Sequence, residues 1–457
     1  MADESALNGA RQIVKHCLGL EAGQELLVFM DETTVEVGML LEQAATQLGV
    51  TTSSLFVSRA QQRSFSSDAG LGRAVSGALR EVRVIVLCVN GQTDCLPFRA
   101  HIIEHESGAR TRIGTMPGAS HDVLRMADVD FARLIADCRR LELALTRGSR
   151  LCLASRDARG EEHRLEVDIG GWGRLPVASD GIIREGTWGN VPSGESFIAP
   201  VEDSAEGSVV IDGSIPGQVI GPGEEIVLYF SGGRLQGIEP TGRRAAQLLR
   251  ATEIDPARAR DDPNWNNLAE IGIGVNPAVT TLTGNMLYDE KAAGTAHIAI
   301  GSNIFFGGQR ASSIHCDMVI RRPTITIDEK VVVADGAIRY AERDWREHFA
   351  RVSLHGSPLR EAREVGRSGV GAEMIDGRLV RVARSEAGRN SMCPVGDDET
   401  AHLAALIYQQ LPVNGHSVAL ERLRSHLRSS DQSLRQVLHV MRDYGLIRLG
   451  EQGGEPK

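Results

Sequence analysis

The sequence contains no CxxC pair and no long apolar run, and its opening segment is polar. Its seven cysteines are scattered through 457 residues without a CxxC pair. This argues against a disulfide framework and a structural zinc finger, and it favours a reducing compartment. No apolar run reaches the roughly 18 residues that suggest a membrane span, and the opening MADESALNGARQIVKHC is too polar for a secretory signal. We therefore expect a cytoplasmic protein with no membrane partner.

Several common functional motifs are also missing. Neither GxGxxG nor GxxxxGK[ST] follows a strand-like segment, which removes the main support for a nucleotide-binding fold. GxSxG is absent, so GESFIAP is not the nucleophile elbow of a serine hydrolase. The net charge of −10 argues against a protein that coats nucleic acid along its whole surface.

The hydrophobic pattern divides the chain into regions of different texture. In the first hundred residues, the apolar segments QELLVFMD, TTSSLFVS and VRVIVLCV alternate with helical spacing, which predicts a parallel sheet covered by helices. From about residue 150, short strands with glycine turns predict an antiparallel-rich domain. Two hairpins are expected there, in EIVLYFSGGRLQGIEP and TITIDEKVVVAD.

We therefore predict an α/β N-terminal domain, a mixed α+β metal-binding domain and a C-terminal winged-helix-like module. The predicted ranges are 1–149 for the first domain, 150–345 for the catalytic domain, 346–395 for a connecting segment and 396–457 for the module. The module carries six arginines against three acids between residues 421 and 448. That mild basic excess could contact phosphates, but binding of protein or peptide is favoured over DNA.

Five potential metal ligands stand in glycine-punctuated apolar segments of the middle region. They are Glu195, Glu270, His297, His315 and Asp317. Residues i and i+2 of a strand point to one face, so His315 and Asp317 would reach the same ion while Cys316 faces away. A hairpin could place His297 beside His315. Burying these carboxylates and imidazoles without a cation would be costly, which predicts a divalent metal site.

Four consecutive motifs carry a resemblance to a known family: GTWGNVPSGESFIAPVEDS, LAEIGIGVNP, LYDEKAAGTAHIAIG and IHCDM. In this order they resemble the aminopeptidase T family of metallo-aminopeptidases, over roughly residues 10–340. The resemblance implies a homodimer with an N-terminal α/β domain and a two-metal site in the second domain. It also implies that the five residues named above are the metal ligands.

The sequence departs from that family at one position of the metal site. Ile304 stands where the family has a tyrosine, seven residues after the histidine matched by His297. Isoleucine can neither bind a metal nor donate a proton. Tyr288 is a conceivable replacement. Nearby, Lys291 could orient a substrate carboxylate or an oxyanion, although pairing with the adjacent Glu290 is the favoured interpretation.

The favoured hypothesis is a metallo-aminopeptidase-like hydrolase. A peptide or small amide substrate would be cleaved by water activated on zinc, cobalt or manganese, with Glu195 or Glu270 as the catalytic carboxylate that carries the proton.

Two alternatives remain open. His297, His315 and Asp317 form the two-histidine, one-carboxylate set of mononuclear non-haem iron(II) oxygenases. Such a one-metal site fits the loss of the tyrosine, and ring-cleaving dihydroxypyridine dioxygenases resemble relatives of the aminopeptidase fold. The second alternative is a binding or regulatory protein on the same fold, which the C-terminal module suggests.

Overall fold

The computed structural model describes most of the first 339 residues and three short segments beyond them. The described residues are 3–65, 71, 73–91, 95–103, 111–170, 176–339, 380–384, 418–419 and 447–451. The predicted connecting segment and winged-helix-like module lie outside these residues, apart from three short strands.

The described residues between 3 and 147 alternate helices and strands, as the apolar pattern predicts. The helices are α1 (Glu4–Gln12), α2 (Val35–Gln47), α3 (Arg59–Arg63), α4 (Arg73–Glu81), α5 (Leu96–His101), α6 (His121–Arg125) and α7 (Phe131–Arg147). The strands are β1 (Glu25–Met30), β2 (Thr51–Phe56), β3 (Val84–Cys88) and β4 (Arg112–Thr115). Along β1, Val28 packs into one hydrophobic cluster while Leu27 and Phe29 pack into another. This alternation shows that hydrophobic layers cover both faces of the sheet.

Residues 150–339 are dominated by strands. They are β5 (Arg150–Arg156), β6 (Glu162–Asp168), β7 (Val177–Ser179), β8 (Trp188–Asn190), β9 (Glu195–Ile198), β10 (Glu206–Ile211), β11 (Ser214–Ile215), β12 (Gln218–Val219), β13 (Ile226–Ser231), β14 (Arg234–Glu239), β15 (Leu268–Gly274), β16 (Ala296–Gly301), β17 (His315–Ile320), β18 (Thr324–Ile327), β19 (Lys330–Ala334) and β20 (Ala337–Ile338). The short helices are α8 (Arg244–Leu249), α9 (Asp255–Ala259) and α10 (Met286–Asp289).

These strands form a parallel sheet and two antiparallel sheets. The parallel sheet has the order β2-β1-β3-β4-β8, so β8 joins the sheet of the preceding region. The antiparallel sheets have the orders β14-β13-β10-β6-β5-β18-β19-β20 and β12-β11-β17-β16-β15-β9-β7. Both predicted hairpins are confirmed, since β13 pairs with β14 and β18 pairs with β19. The domain boundary at residues 149 and 150 stays a prediction.

One hydrophobic core joins the two antiparallel sheets. Ile271, Ile298 and Met318 from the seven-stranded sheet share a cluster with Leu153 and Leu228 from the eight-stranded sheet. Because strand side chains alternate between faces, the neighbours of these residues along the seven-stranded sheet point away from the shared core. The polar residues of the candidate site lie on that opposite face.

A buried carboxylate holds the carboxyl ends of β1 and β3 together. Asp31 accepts hydrogen bonds from the backbone N–H of Thr33 at 2.8 Å, from Gln62 Nε2 at 2.7 Å and from the backbone N–H of Asn90. Burial alone would raise the pKa of Asp31, but these hydrogen bonds outweigh it and lower the pKa. The carboxylate therefore contributes to stability in its charged form.

Beyond residue 339, the structure describes only a small sheet. Its strands are β21 (Val380–Arg384), β22 (Val418–Ala419) and β23 (Ile447–Glu451), in the order β22-β21-β23. Among the described residues, no helix has both the length and the apolar character needed to cross a membrane.

Candidate metal centre

Four adjacent antiparallel strands bring the five predicted ligands together. The strand order β17-β16-β15-β9 places His315 and Asp317 on one side, His297 next, then Glu270, and Glu195 on the far side. Two rows of directly opposed residues define the polar face. In the first row, Ala299 stands between Asp317 and Glu270. In the second row, His297 stands opposite Gly272. Directly opposed residues share a face. The predicted hairpin neighbourhood of His297 and His315 is confirmed.

Glu270 lies at the centre of the cluster. Its Oε1 is 3.2 Å from His297 Nε2, and its Oε2 is 3.3 Å from His315 Nε2. His315 Nε2 is also 3.4 Å from Asp317 Oδ1. Donor atoms of Glu270, His297 and Asp317 lie within 4.8 Å of one another. The side chains thus converge on one point, which is the arrangement that a single cation needs.

A buried lysine stands on the other side of Glu195. Lys291 Nζ donates to Glu195 Oε1 at 2.6 Å and also to Glu290 Oε1. The favoured pairing of Lys291 with Glu290 is present, and the contact with Glu195 adds to it. Burial raises the pKa of Glu290 to about 8, although Lys291 opposes the shift. Glu195 Oε2 lies 3.5 Å from His297 Nε2, so Glu195 connects the lysine to the histidine cluster.

Two glycines of the LAEIGIG motif make room for this arrangement. A Cβ at Gly272 would lie 2.1 Å from His297 Nε2, so the imidazole packs against bare backbone. A Cβ at Gly274 would lie 2.2 Å from the carbonyl oxygen of Ala292 and 2.8 Å from that of Glu290. The segment that carries Lys291 approaches β15 closely for this reason. Neither glycine is among the predicted site residues. Two alternate glycines within an apolar strand nevertheless indicate that other groups approach the backbone closely there.

The donor set fits a divalent metal ion. His315 Nδ1 donates to the carbonyl oxygen of Ser302 at 2.8 Å, which turns Nε2 towards the cluster, as in histidines that bind metals. Glu195 Oε2 and Asp317 Oδ1 are buried without a hydrogen-bond partner among the described residues. Imidazole and carboxylate donors suit zinc, iron(II), manganese and similar ions. A cation at this point would satisfy oxygens that are otherwise costly to bury.

The electrostatic field of the cluster favours positive charge. Burial alone would lower the pKa of His297, but Glu270 and Glu195 outweigh it and raise the pKa to about 9. Burial alone would also lower the pKa of His315, but Asp317 and Glu270 raise that pKa well above its usual value. For Asp317, burial would raise the pKa, but His315 lowers it to about 2. The same field would attract a metal cation.

Aromatic side chains border the more open side of the cluster. The His315 side chain is 26% exposed, whereas that of His297 is fully buried, so access is from the β17 side. The Phe306 ring meets the His315 imidazole edge to face at 5.7 Å and the Phe197 ring at 5.3 Å. Phe306 belongs to the 3₁₀ turn Ile304–Phe306, where the expected tyrosine is missing. An apolar aromatic wall therefore lies beside the donors.

Other residues considered from the sequence do not join the cluster. Cys316 points into the core between the antiparallel sheets, as its position between two ligands predicts. Tyr288 packs into a hydrophobic cluster of the first domain with Met116 and Val123, which removes support for it as a replacement for the missing tyrosine.

A second group of donors lies elsewhere. Asp157, Glu161 and His163 stand close together on the β5–β6 hairpin. The Asp157 carboxylate already accepts backbone N–H bonds from Arg159 and Glu161.

The fold and this donor set define a protein that could hold a divalent metal ion on the face of an antiparallel sheet. The family model described as NicX: 2,5-dihydroxypyridine 5,6-dioxygenase matches residues 8–340. The match covers well over half of the chain. The chain therefore belongs to this family.

Individual relatives agree with the family. The chain is 34% identical, over 166 residues, to a 2,5-dihydroxypyridine 5,6-dioxygenase of Pseudomonas putida KT2440, a match that covers 34% of this chain and 45% of the relative. The chain thus spans about half the length of that curated relative. A solved structure of the 2,5-dihydroxypyridine dioxygenase from the same organism has a TM-score of 0.56 at 20% identity, covering 76% of this chain and all of that one.

The fold is also similar to that of a second solved structure. AmpT from Thermus thermophilus has a TM-score of 0.50 at 18% identity, covering 74% of this chain and all of that one. At these identities, both solved structures show the fold alone. The resemblance to aminopeptidase T is therefore confirmed as a shared fold and not as membership of that family.

The favoured hypothesis of a peptide-cleaving hydrolase is wrong. The family to which the chain belongs is one of dioxygenases. The expected peptide or amide substrate is therefore wrong as well. The departure from the aminopeptidase T pattern at Ile304 agrees with this correction. The expected homodimer stays a prediction, as do the ligand roles of the five residues.

Proposed function

We propose that this protein is an iron(II)-dependent dioxygenase that opens the ring of 2,5-dihydroxypyridine between carbons 5 and 6. The proposal rests on two contacts in a chain of the dihydroxypyridine dioxygenase family. Donor atoms of His297 and Asp317 lie within 4.8 Å of one another, and Asp317 Oδ1 lies 3.4 Å from His315 Nε2. Two imidazoles and one carboxylate are the ligand set of non-haem iron(II) oxygenases.

In this proposal, His297, His315 and Asp317 hold the metal. Bound iron(II) would supply a Lewis acid for a substrate hydroxyl and one-electron chemistry for dioxygen, which the side chains cannot supply. The carbonyl oxygen of Ser302 accepts a hydrogen bond from His315 Nδ1 and so fixes the orientation of the His315 ring. Gly272 gives the His297 ring the space that it occupies.

Glu270 is the residue we assign to proton transfer. Both of its oxygens lie next to the two histidines, so the carboxylate is within reach of a hydroxyl group bound between them. A dihydroxypyridine must lose a hydroxyl proton to become electron-rich enough to react, and a positioned carboxylate can accept that proton. Glu270 is only 5% exposed, so bulk water does not compete for the proton.

The aromatic wall matches the shape of the substrate. Phe306 packs against His315 and Phe197 packs against Phe306, and a flat heteroaromatic ring can pack on such a surface. Cleavage of the bond between carbons 5 and 6 consumes one dioxygen per ring. Each carbon of the broken bond gains one of the two oxygen atoms: carbon 5, which already bears the hydroxyl oxygen, becomes a carboxyl carbon, and carbon 6 becomes a formyl carbon on the ring nitrogen.

The test is oxygen consumption by protein purified and loaded with iron(II) under anaerobic conditions. We expect uptake of one dioxygen per 2,5-dihydroxypyridine consumed, with both atoms of ¹⁸O₂ found in the product by mass spectrometry. Absence of substrate-dependent uptake by iron-loaded protein would contradict the proposal.

Two histidine variants assign the chemistry to the site. His315→Ala should lose iron binding and turnover by more than about 100-fold, because loss of a group that merely supports a ligand already costs about 10–100-fold. His16→Ala is the matched control, since His16 is an exposed histidine that stacks on Phe131 and belongs to neither group of metal donors. It should behave like the unaltered protein. Equal iron content in the two variants would refute the assignment.

A further inference from the structure

A lysine ammonium is buried beside the candidate metal centre in a pocket made of carboxylates. The Lys291 side chain is 0% exposed, and its partners Glu195 and Glu290 are 3% and 10% exposed. Taking an ammonium group out of water is costly unless it is paired and hydrogen-bonded. Here both carboxylates provide that pairing, and the 2.6 Å contact with Glu195 is that of a strong charge-assisted hydrogen bond.

Glu195 faces two positive regions at once. Its Oε1 accepts from Lys291, while its Oε2 lies 3.5 Å from His297 Nε2 and has no hydrogen-bond partner among the described residues. A carboxylate with one oxygen on each of two cations is the usual bridge of a two-metal centre. In this chain, the Lys291 ammonium stands at one of the two oxygens of Glu195.

The backbone fixes the position of the lysine. The carbonyl oxygen of Lys291 accepts from the backbone N–H of Asn276 at 2.8 Å, and Gly274 lets this segment lie directly against β15. On the preceding turn, Asp289 accepts backbone N–H bonds from Thr283 and Gly284, each at 2.8 Å. Backbone hydrogen bonds and close packing therefore fix the position of Lys291, unlike that of a surface lysine.

We propose that the Lys291 ammonium occupies a cation pocket formed by Glu195 and Glu290, and that it thereby limits the centre to one metal ion. Lys291 acts as a permanent second cation that neutralises the Glu195 carboxylate. The inference rests on the proposed function only in requiring that the neighbouring histidines hold a metal.

The test counts bound metal ions in the full chain, with Mn(II) as the cation because it is stable in air. All variants carry His163→Ala, which removes the histidine from the separate donor group Asp157, Glu161 and His163. Equilibrium dialysis against increasing Mn(II), followed by elemental analysis, should give one ion per chain when Lys291 is present. Lys291→Met removes the charge and keeps an unbranched side chain. We expect it to bind a second ion.

A double variant tests whether the second ion enters the proposed pocket. Lys291→Met combined with Glu290→Gln removes one carboxylate of the pocket together with the ammonium, and it should return the count to one. Electron paramagnetic resonance gives an independent readout, because two neighbouring Mn(II) ions couple their spins and one isolated ion does not. The coupled signal should be present in Lys291→Met and absent from the double variant.

Two results would overturn the inference. One is a folded Lys291→Met variant, checked by circular dichroism, that still binds one ion at saturating Mn(II). The other is a second coupled ion bound while Lys291 is intact, a measurement that does not depend on the variant folding. Failure of the proposed function looks different, because the protein would then bind one Mn(II) as expected but show no oxygen uptake with dihydroxypyridine when loaded with iron(II).

Discussion

Gly272→Ala is the substitution that tests most directly how the fold positions His297. Gly272 lies on β15 directly opposite His297 on β16. An added Cβ would meet the imidazole Cε1 and Nε2 atoms at 2.1 Å, whereas an ordinary contact begins at 3.4 Å. The ring, or the strand beneath it, must therefore move by about 1.3 Å, because a close-packed interior has no free space to absorb the methyl group.

The size of the effect follows from this displacement. Forcing an extra methyl group into a packed interior costs about 1–3 kcal/mol. Misplacing a positioned group by about 1 Å costs on the order of 100-fold in function, which corresponds to about 2.8 kcal/mol. We therefore expect Gly272→Ala to weaken Mn(II) binding by about 10–100-fold and to destabilise the fold by about 1–3 kcal/mol.

Isothermal titration with Mn(II) and urea unfolding measure the two effects separately. Gly237→Ala is the matched control, because Gly237 lies inside strand β14 with no atom within 4 Å of an added Cβ. The control should bind Mn(II) as the unaltered protein does and change stability by no more than about 1 kcal/mol. If Gly272→Ala leaves the Mn(II) affinity unchanged, the absence of a side chain at residue 272 does not determine the position of the His297 ring.

Three further substitutions test other parts of the argument. Asp31→Asn should lower the free energy of unfolding by about 1.5–3 kcal/mol at pH 7. The fold lowers the pKa of Asp31, so the stability difference between the two proteins should be complete above the unfolded carboxyl pKa of about 3.9. The difference should shrink as the pH falls below that value. Urea titrations that give a constant difference across this pH range would contradict the assignment. Phe306→Leu should raise KM for dihydroxypyridine by about 2–10-fold with a smaller change in kcat, because an aromatic contact contributes about 0.5–1.5 kcal/mol; steady-state oxygen uptake measures both, and an unchanged KM would remove Phe306 from the substrate surface. Glu270→Gln should keep one Mn(II) per chain in equilibrium dialysis but lower kcat by about 10²–10⁴-fold; loss of the metal would make Glu270 a ligand instead of a proton acceptor.

Local pattern predicted much of the fold, because burial leaves a periodic trace in the sequence. The nearly continuous apolar run VRVIVLCV corresponds to β3, which is buried on both faces of the parallel sheet. The glycine pair at Gly232 and Gly233 marked the turn between β13 and β14. The pattern did not reveal that β8, from the second region, adds to the parallel sheet of the first, because strand pairing over such a distance leaves no local signal.

The sequence by itself determined which side chains could bind a metal and that His315 and Asp317 share a face, since the two-residue repeat of a strand is a local property. Only the tertiary structure decided what surrounds them. The pairing of β9, β15, β16 and β17 brought together residues up to about 120 positions apart, set Glu270 between both histidines and placed Lys291 against Glu195. The reason is physical: a buried charge takes its role from partners that are distant in sequence, and the chain order alone does not encode those distances.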